Sequence, residues 1–183
     1  MESRKNQIIS LAFKLIQEKG FVAISYDDLS KPLGVTKASI HYHFEKKEDL
    51  GAAILERMME RLEQLLLRIA SLPPEERLEH YFSDRLSCFG MQDICPLSSL
   101  QADFESLPDS LQNKVKEVSE KELFILIQIL KAIQEEGGID SAAEIEPLAI
   151  MILAGGKGIL QYQRVFGRKL SPVFFKQINR LIQ

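Results

Sequence analysis

Cysteine is scarce in this 183-residue sequence, which contains only Cys88 and Cys95. So few cysteines do not indicate a disulfide framework, and the first residues lack an apolar signal segment. We therefore expect a reducing, cytoplasmic location. The 45% share of hydrophobic residues is ordinary for a chain that folds around a core of its own.

Long hydrophobic segments are also missing. The longest nearly unbroken apolar run, residues 147–156, is half the roughly 20 residues that a membrane-spanning helix needs, so no membrane partner is expected. An excess of positive charge is absent too, because the formal net charge is −3. Residues 1–50 hold eight Lys or Arg against seven Asp or Glu. Any surface for nucleic acid must therefore be a local patch.

Prolines and glycines divide the chain into segments with helical spacing of apolar residues, and no alternating strand pattern with hairpin turns is found. The sequence therefore predicts an all-α fold of about nine helices. Ser25 and Thr36 are typical N-caps of short helices, and Asp28, three residues after Ser25, can complete a variant of the capping box with it. The predicted helices cover residues 4–19, 25–33, 36–43, 47–70, 75–89, 97–107, 110–136, 142–166 and 172–182.

Two short helices joined by a turn at Gly34 are typical of a helix-turn-helix. Pro32 removes a backbone donor near the end of the first of them, so this helix is predicted to kink or to end in a tight turn. The surrounding stretch LGVTKASIHYHFEKKEDL, residues 33–50, resembles the TetR family of bacterial transcriptional regulators. The residues that carry the resemblance are Gly34, Val35, Ser39, Ile40, His43, Phe44, Lys47, Glu48 and Leu50.

The resemblance implies a helix-turn-helix DNA-binding domain at residues 1–46 and a helical ligand-sensing and dimerisation domain at residues 47–183. A short helix in the major groove presents few side chains to base edges, while hydroxyls and cations around it bind phosphates. With Ile40 and Phe44 facing the core, base contacts are predicted for Lys37 and Tyr42, and either role for Ser39. The predicted phosphate contacts are Ser25, Tyr26, Thr36, His41, His43 and Lys47.

Simpler interpretations stand beside these assignments. A serine or threonine before a helix is most often only a cap, which applies to Ser25 and Thr36. His41 and His43 lie two residues apart and so on different faces of a helix, with no third ligand nearby in the sequence. We therefore expect no metal and no cofactor.

The C-terminal part contains more apolar surface than a terminal helical hairpin can hide, which predicts a homodimer through the last two helices. The predicted interface residues are Leu148, Ile152, Leu160, Phe174, Phe175, Ile178 and Leu181. Gly155, Gly156 and Gly158 interrupt this region, so close packing or a kink is expected there. The resemblance implies an effector pocket, although core packing is the simpler role for each candidate. These candidates are Phe82, Phe89, Met91, Phe104, Phe124, Met151 and Gln161.

The sequence thus predicts a ligand-responsive regulator, a repressor that binds a palindromic double-stranded operator as a homodimer and is released by a small apolar or aromatic effector. One alternative is a helical adaptor without DNA affinity. Another is a repressor that senses oxidants or electrophiles through Cys95, which precedes Pro96 at a predicted helix start. An enzyme is not expected, because no nucleophile–base arrangement, metal-ligand spacing or phosphate loop is found.

Overall fold

The structure is a computed structural model that describes residues 3–86 and 88–182. Over these residues the chain forms nine α-helices, one short 3-10 helix and no β-strand, which confirms the all-α prediction. The helices are α1 (Arg4–Lys19), α2 (Tyr26–Leu33), α3 (Lys37–His43), α4 (Lys47–Ile69), α5 (Pro74–Leu86), α6 (Pro96–Ala102), α7 (Asp109–Glu135), α8 (Ile145–Phe166) and α9 (Ser171–Leu181), with the 3-10 helix at Phe104–Ser106. None of the described helices is both long and apolar enough to cross a membrane.

Several predicted helices are shorter than the sequence suggested, and local turns explain two of the differences. The segment 97–107 divides into α6 and the 3-10 helix, because the Leu107 N–H bonds to the carbonyl of Phe104 three residues back and Pro108 follows. The segment 142–166 begins as a turn, in which Asp140 accepts the N–H of Ala142 on its side chain and that of Ala143 on its backbone. Local hydrogen bonds of this kind compete with helical ones, so α8 starts only at Ile145.

The described residues divide into two compact units. The head unit contains the residues up to Met59 together with Ile94–Val118, and the body unit contains Glu60–Asp93 and the residues from Ser119 onward. The head unit is thus larger than the predicted segment 1–46, since it includes the first part of α4, all of α6 and the first part of α7.

Contacts within the head unit explain its size. The Phe21 N–H donates to Ser99 Oγ of α6 at 2.9 Å, and the Ile94 N–H donates to the Gln17 carbonyl at 2.8 Å. Gly51 of α4 has so little space that a Cβ placed there would lie 3.0 Å from the Phe21 ring and 3.1 Å from Leu111. Short-range sequence patterns could not reveal these contacts between distant segments.

The core of the head is formed by apolar residues at helical spacing. On α1 these are Ile8, Ala12 and Ile16, which have no exposed surface. Leu29 of α2 and Ile40 of α3 are likewise fully buried, so all three of these helices pack around one apolar centre. This packing sets the orientation of α3, whose opposite side is left outward.

In the body unit, α8 and α9 pack closely at two glycines of α8. A Cβ at Gly155 would lie 3.0 Å from the Phe174 ring, and one at Gly156 would lie 3.5 Å from it. The predicted close packing is therefore confirmed at these two positions. Gly158 differs, because a Cβ there would have no neighbouring atom within 4 Å.

Candidate nucleic-acid interface

The turn between α2 and α3 is built from local backbone hydrogen bonds. Gly34 takes the left-handed conformation, with φ 64° and ψ 34°, which favours glycine because it has no Cβ. Its N–H and that of Val35 return to carbonyls of the last turn of α2, at Lys31 and Ser30 respectively. Pro32 fits within that last turn, and α2 ends one residue later.

Helix α3 has one buried side and one exposed side, as the sequence predicted. Ile40 is fully buried and Phe44, just after the helix, is 2% exposed. Tyr42 is 87% exposed, and Lys37 and His41 are also exposed. The other two predicted contact residues of the helix, Ser39 and His43, are half-buried.

Several predicted DNA-contact residues surround one concavity of the head. It has a volume of about 340 Å³ and lies between the starts of α2 and α3 and the segment before α4. Its lining combines five predicted residues with two carboxylates that were not predicted: Ser25, Tyr26, Lys37, His41 and Lys47 with Asp27 and Glu45. Thr36, Ser39, Tyr42 and His43 do not line it.

The hydroxyl groups of two predicted phosphate contacts already donate within the head. The Tyr26 hydroxyl donates to the Phe44 carbonyl at 2.7 Å, and its ring meets His41 edge-on at 4.5 Å. Partial burial, followed by the negative charges of Asp49 and Glu48, raises the pKa of Tyr26 to about 12. Phosphate oxygens only accept hydrogen bonds, so this hydroxyl cannot donate to one while its internal bond holds.

Ser25 forms the predicted capping box with Asp28. The Ser25 N–H and hydroxyl both donate to the Asp28 carboxylate at 2.7 Å, and the Asp28 N–H returns to Ser25 Oγ. The Lys19 ammonium lies 2.8 Å from the same carboxylate. Hydrogen bonds from Lys19 and Ser25 therefore hold the pKa of Asp28 well below its usual range. Thr36 caps α3 by accepting the Ser39 N–H, which leaves its own O–H able to donate to a phosphate.

The two lysines of the concavity also have partners inside the head. Lys37 Nζ lies 2.7 Å from Asp27 Oδ2. Lys47 Nζ donates to the Val22 carbonyl at 2.8 Å and lies 4.9 Å from the centre of the Phe21 ring, and partial burial lowers the pKa of Lys47. DNA must compete with Asp27 for Lys37, whereas Lys47 connects α4 to the segment after α1.

Sequence reasoning missed the acidic members of this surface. The sequence carried no signal for Asp27, because it belongs to the acidic first turn of α2, where negative charge is ordinary. Glu45 lies between α3 and α4, and its backbone carbonyl is 3.2 Å from His41 Nδ1. Among the described residues, no group of three or more His, Cys, Asp or Glu side chains is placed to hold a metal ion.

Comparison with known proteins identifies the family. Residues 8–54 match the family described as bacterial regulatory proteins, tetR family. A crystal structure of a TetR transcriptional regulator from Legionella pneumophila aligns with a TM-score of 0.85 and 29% sequence identity, covering 100% of this chain and 96% of that one. The segment 8–54 therefore belongs to the TetR family.

Two curated relatives extend the comparison. It is 22% identical over 164 residues to the HTH-type transcriptional repressor DhaR of a Mycobacterium species, covering 88% of this chain and 82% of DhaR. It is also 28% identical over 116 residues to the negative transcriptional regulator IcaR of the biofilm operon icaADBC in Staphylococcus epidermidis. That second match covers 61% of this chain and 59% of IcaR.

The predicted effector-pocket residues do not form one enclosed group. Phe82 is buried, and Phe89 and Met91 are half-buried. Phe104 is half-buried but belongs to the head unit. The remaining three are exposed: Phe124, Met151 and Gln161. A cavity of about 410 Å³ in the body unit is lined instead by Leu65, Arg68, Ile69, Leu72, His80, Ser83 and Asp84.

The predicted dimer-interface residues also fall into different environments. Ile152, Leu160 and Ile178 are buried within the protomer's own body unit. Leu148, Phe174 and Phe175 are half-buried, and the two phenylalanine rings meet Phe82 edge-on. Leu181 alone of the seven is exposed. Helical periodicity identified α8 and α9 as apolar but not which of their side chains the protomer itself covers.

Proposed function

We propose that this chain is a ligand-responsive repressor of the TetR family that binds a palindromic operator as a homodimer and is released by a small apolar or aromatic effector. The observation that carries the DNA-binding part is the orientation of α3. Ile40 and Phe44 anchor it in the head, so that Lys37 and Tyr42 lie outward on a firmly held helix. A recognition helix needs this combination of a fixed buried side and a free polar side.

Within this proposal, the structure favours different roles for the nine predicted residues. Tyr42 and Lys37 contact bases, and Ser39 either a base or a phosphate. Thr36 donates a hydrogen bond from its hydroxyl to a phosphate, and His41 and His43 lie beside the sugar–phosphate backbone of the DNA. Tyr26, Ser25 and Lys47 act mainly by positioning, since each is engaged in a hydrogen bond within the head.

The proposed dimer uses an apolar surface of α8 and α9, which we name the α8–α9 face. One recognition helix reads too few base pairs, and a twofold dimer doubles the contacts on a palindromic site. An exposed apolar surface of this kind marks an interaction site, and two helices from each protomer make a four-helix bundle. The face consists of the exposed side chains Ile150, Met151, Tyr162, Val165, Phe166, Val173 and Leu181.

Effector control requires the ligand to bind the form that does not bind DNA more tightly than the form that does. Helices α4 and α7 each contain residues of both units. A change at the body end of α4 can therefore reach the head along a continuous helix, and we propose that it alters the separation of the two recognition helices.

The alternative sensor through Cys95 is less well supported. Reactive thiols are generally at least partly exposed, whereas Cys95 is buried. If Cys95→Ser responds to oxidant as the unmodified protein does, a thiol sensor at this position is excluded.

Salt titration separates a DNA-binding regulator from a helical adaptor. The observed DNA association constant of a regulator falls linearly with salt on a double logarithmic plot, with a slope of about −0.9 for each phosphate neutralised. Tyr42→Ala and Lys37→Ala are expected to change the preference among operator sequences, with Lys14→Ala on α1 as an exposed control. No DNA affinity at low salt would contradict the proposal, and equal losses on specific and random DNA would remove the base-contact assignments.

A further inference from the structure

One ring nitrogen of His41, on α3, is committed to a hydrogen bond within the head. Its Nδ1 lies 3.2 Å from the backbone carbonyl oxygen of Glu45. A carbonyl only accepts hydrogen bonds, so this contact assigns a hydrogen to Nδ1. In the neutral ring the other nitrogen, Nε2, is then an acceptor. A phosphate oxygen is an acceptor too, so neutral His41 has no hydrogen to donate to DNA while its bond to Glu45 is kept.

The second nitrogen of His41 is available to an external group. The side chain is exposed and lines the head concavity of about 340 Å³. Its ring meets Tyr26 edge-on, and that phenol is uncharged at neutral pH because its pKa is raised to about 12. Glu48 and Asp49, in the first turn of α4, add negative charge near Tyr26. Among the described residues, the His41 ring forms no hydrogen bond except the one to Glu45.

The charges that line this concavity cancel while His41 is neutral. Lys37 and Lys47 contribute two positive charges, and two carboxylates, Asp27 and Glu45, contribute two negative charges. Lys37 is paired with Asp27 at 2.7 Å, whereas the Glu45 carboxylate forms no ion pair with the described residues. A proton on His41 therefore changes the charge of the lining from zero to one positive charge.

We propose that His41 binds a DNA phosphate through Nε2 as a charged imidazolium, so that each head takes up one proton from solvent when it binds DNA at neutral pH. The inference rests on the proposed function only in that the ligand is DNA. The imidazolium donates from both nitrogens, so Nδ1 keeps its bond to the Glu45 carbonyl while Nε2 donates a charge-assisted bond to the phosphate. An ordinary histidine titrates near pH 6.5, and an opposite charge in contact favours its charged form. DNA affinity must then fall as the pH rises.

The direct test is the pH dependence of DNA binding by the full chain. Fluorescence anisotropy is measured with a random-sequence duplex at low and constant ionic strength, since phosphate contacts do not depend on base sequence. The association constant is expected to fall about tenfold for each His41 between about pH 6 and about pH 8, because contact with an opposite charge shifts a pKa by about 1 unit or more. Calorimetry in two buffers of different ionisation enthalpy counts the protons taken up. Equal association constants at the two pH values overturn the inference.

Variants assign the effect to its residue. His41→Gln keeps a polar side chain without charge, and it is expected to bind DNA weakly at both pH values. His41→Arg is permanently charged, so it is expected to bind DNA with the higher affinity at both. His80→Gln is the control, because His80 is exposed on α5 in the body unit, and its pH dependence should match that of the unmodified protein. Glu45→Gln leaves the lining with a net positive charge, so it is expected to raise the affinity at about pH 8.

Two results would assign the pH dependence elsewhere. If His43→Gln removes it and His41→Gln does not, His43 is the titrating group and the inference is overturned. If His41→Gln weakens binding by the same factor at both pH values, the contact is made by a neutral ring, and the inference is likewise overturned. Nitrogen NMR of the free chain checks the starting state without DNA. It should show neutral His41 with its hydrogen on Nδ1, and the opposite tautomer contradicts the inference.

Failure of this inference is distinguishable from failure of the proposed function. DNA binding that does not depend on pH refutes only the proton uptake. Proton-linked binding to random DNA without preference for any palindrome refutes only the operator-binding repressor. Absence of DNA binding at every pH refutes both.

Discussion

Replacing Tyr26 by phenylalanine removes one hydroxyl and keeps the ring. That hydroxyl donates to the Phe44 carbonyl at 2.7 Å, where Phe44 ends α3 and is itself buried. A net hydrogen bond contributes about 1 kcal/mol, and an unsatisfied buried acceptor raises the cost to about 2 kcal/mol. For a chain of this size we expect the melting temperature to fall by about 2–8 °C.

The pH dependence of the stability of the same variant provides a second, independent test. The pKa of Tyr26 is raised to about 12, against about 10 in an unfolded chain. A raised folded-state pKa contributes stability that is complete below pH 10 and is lost as the pH rises from about 10 to 12. The difference in free energy of unfolding between the unmodified protein and Tyr26→Phe should therefore shrink over this range.

Thermal unfolding followed by circular dichroism at several pH values measures both effects. Tyr42→Phe is the matched control, because Tyr42 is 87% exposed and its loss of a hydroxyl should change stability by less than about 0.5 kcal/mol. Equal melting temperatures for Tyr26→Phe and the unmodified protein would refute the role given to this hydrogen bond. A large loss of DNA affinity in a fully folded Tyr26→Phe would instead show that the hydroxyl binds phosphate.

Four further predictions concern the head and the dimer. Asp28→Asn should lower the melting temperature at neutral pH, and the melting temperatures of the two proteins should converge as the pH falls below about 4. The reason is that the folded-state pKa of Asp28 is depressed, so its stabilising contribution is complete above its unfolded-state pKa and is lost below it. A constant difference in melting temperature across this pH range would contradict this. Asp27→Asn should release Lys37 and raise DNA affinity by up to about fivefold in a binding titration, since an exposed ion pair is worth at most about 1 kcal/mol; weaker binding would contradict it. Gly51→Ala should reduce the free energy of unfolding in denaturant titrations by about 1 kcal/mol, because overpacking outweighs the gain in helix propensity; a more stable variant would contradict that balance. Val165→Glu should convert dimer to monomer in sedimentation experiments, because it places a charge on the α8–α9 face; an unchanged dimer would exclude this face.

Features that depend on neighbouring residues could be predicted from the sequence. The Ser25–Asp28 capping box, the turn at Gly34 and the buried side of α3 are all set within a few residues, and the structure has them as expected. Helix ends were harder to place. The early end of α6 depends on local turn hydrogen bonds that compete with helical ones.

Features that depend on packing between distant segments could not be predicted. The Lys47 contact with Val22 and the burial of Glu122 between Arg85 and Lys157 join residues far apart in the chain. Apolar spacing on α8 is compatible with two faces, and only tertiary packing decides which one the protomer covers. The same limit applies to the predicted effector residues, since apolar side chains at helical spacing do not reveal which of them surround a cavity.

The most direct test of a dimeric operator-binding regulator is selection of bound sites from random double-stranded DNA by the full chain at low salt. We predict enrichment of a palindrome whose half-sites are separated by about 10 base pairs, one turn of DNA, or a multiple of it. Such a site would reflect two α3 helices related by twofold symmetry. Enrichment of a single asymmetric site, or no enrichment at all, would contradict the central claim.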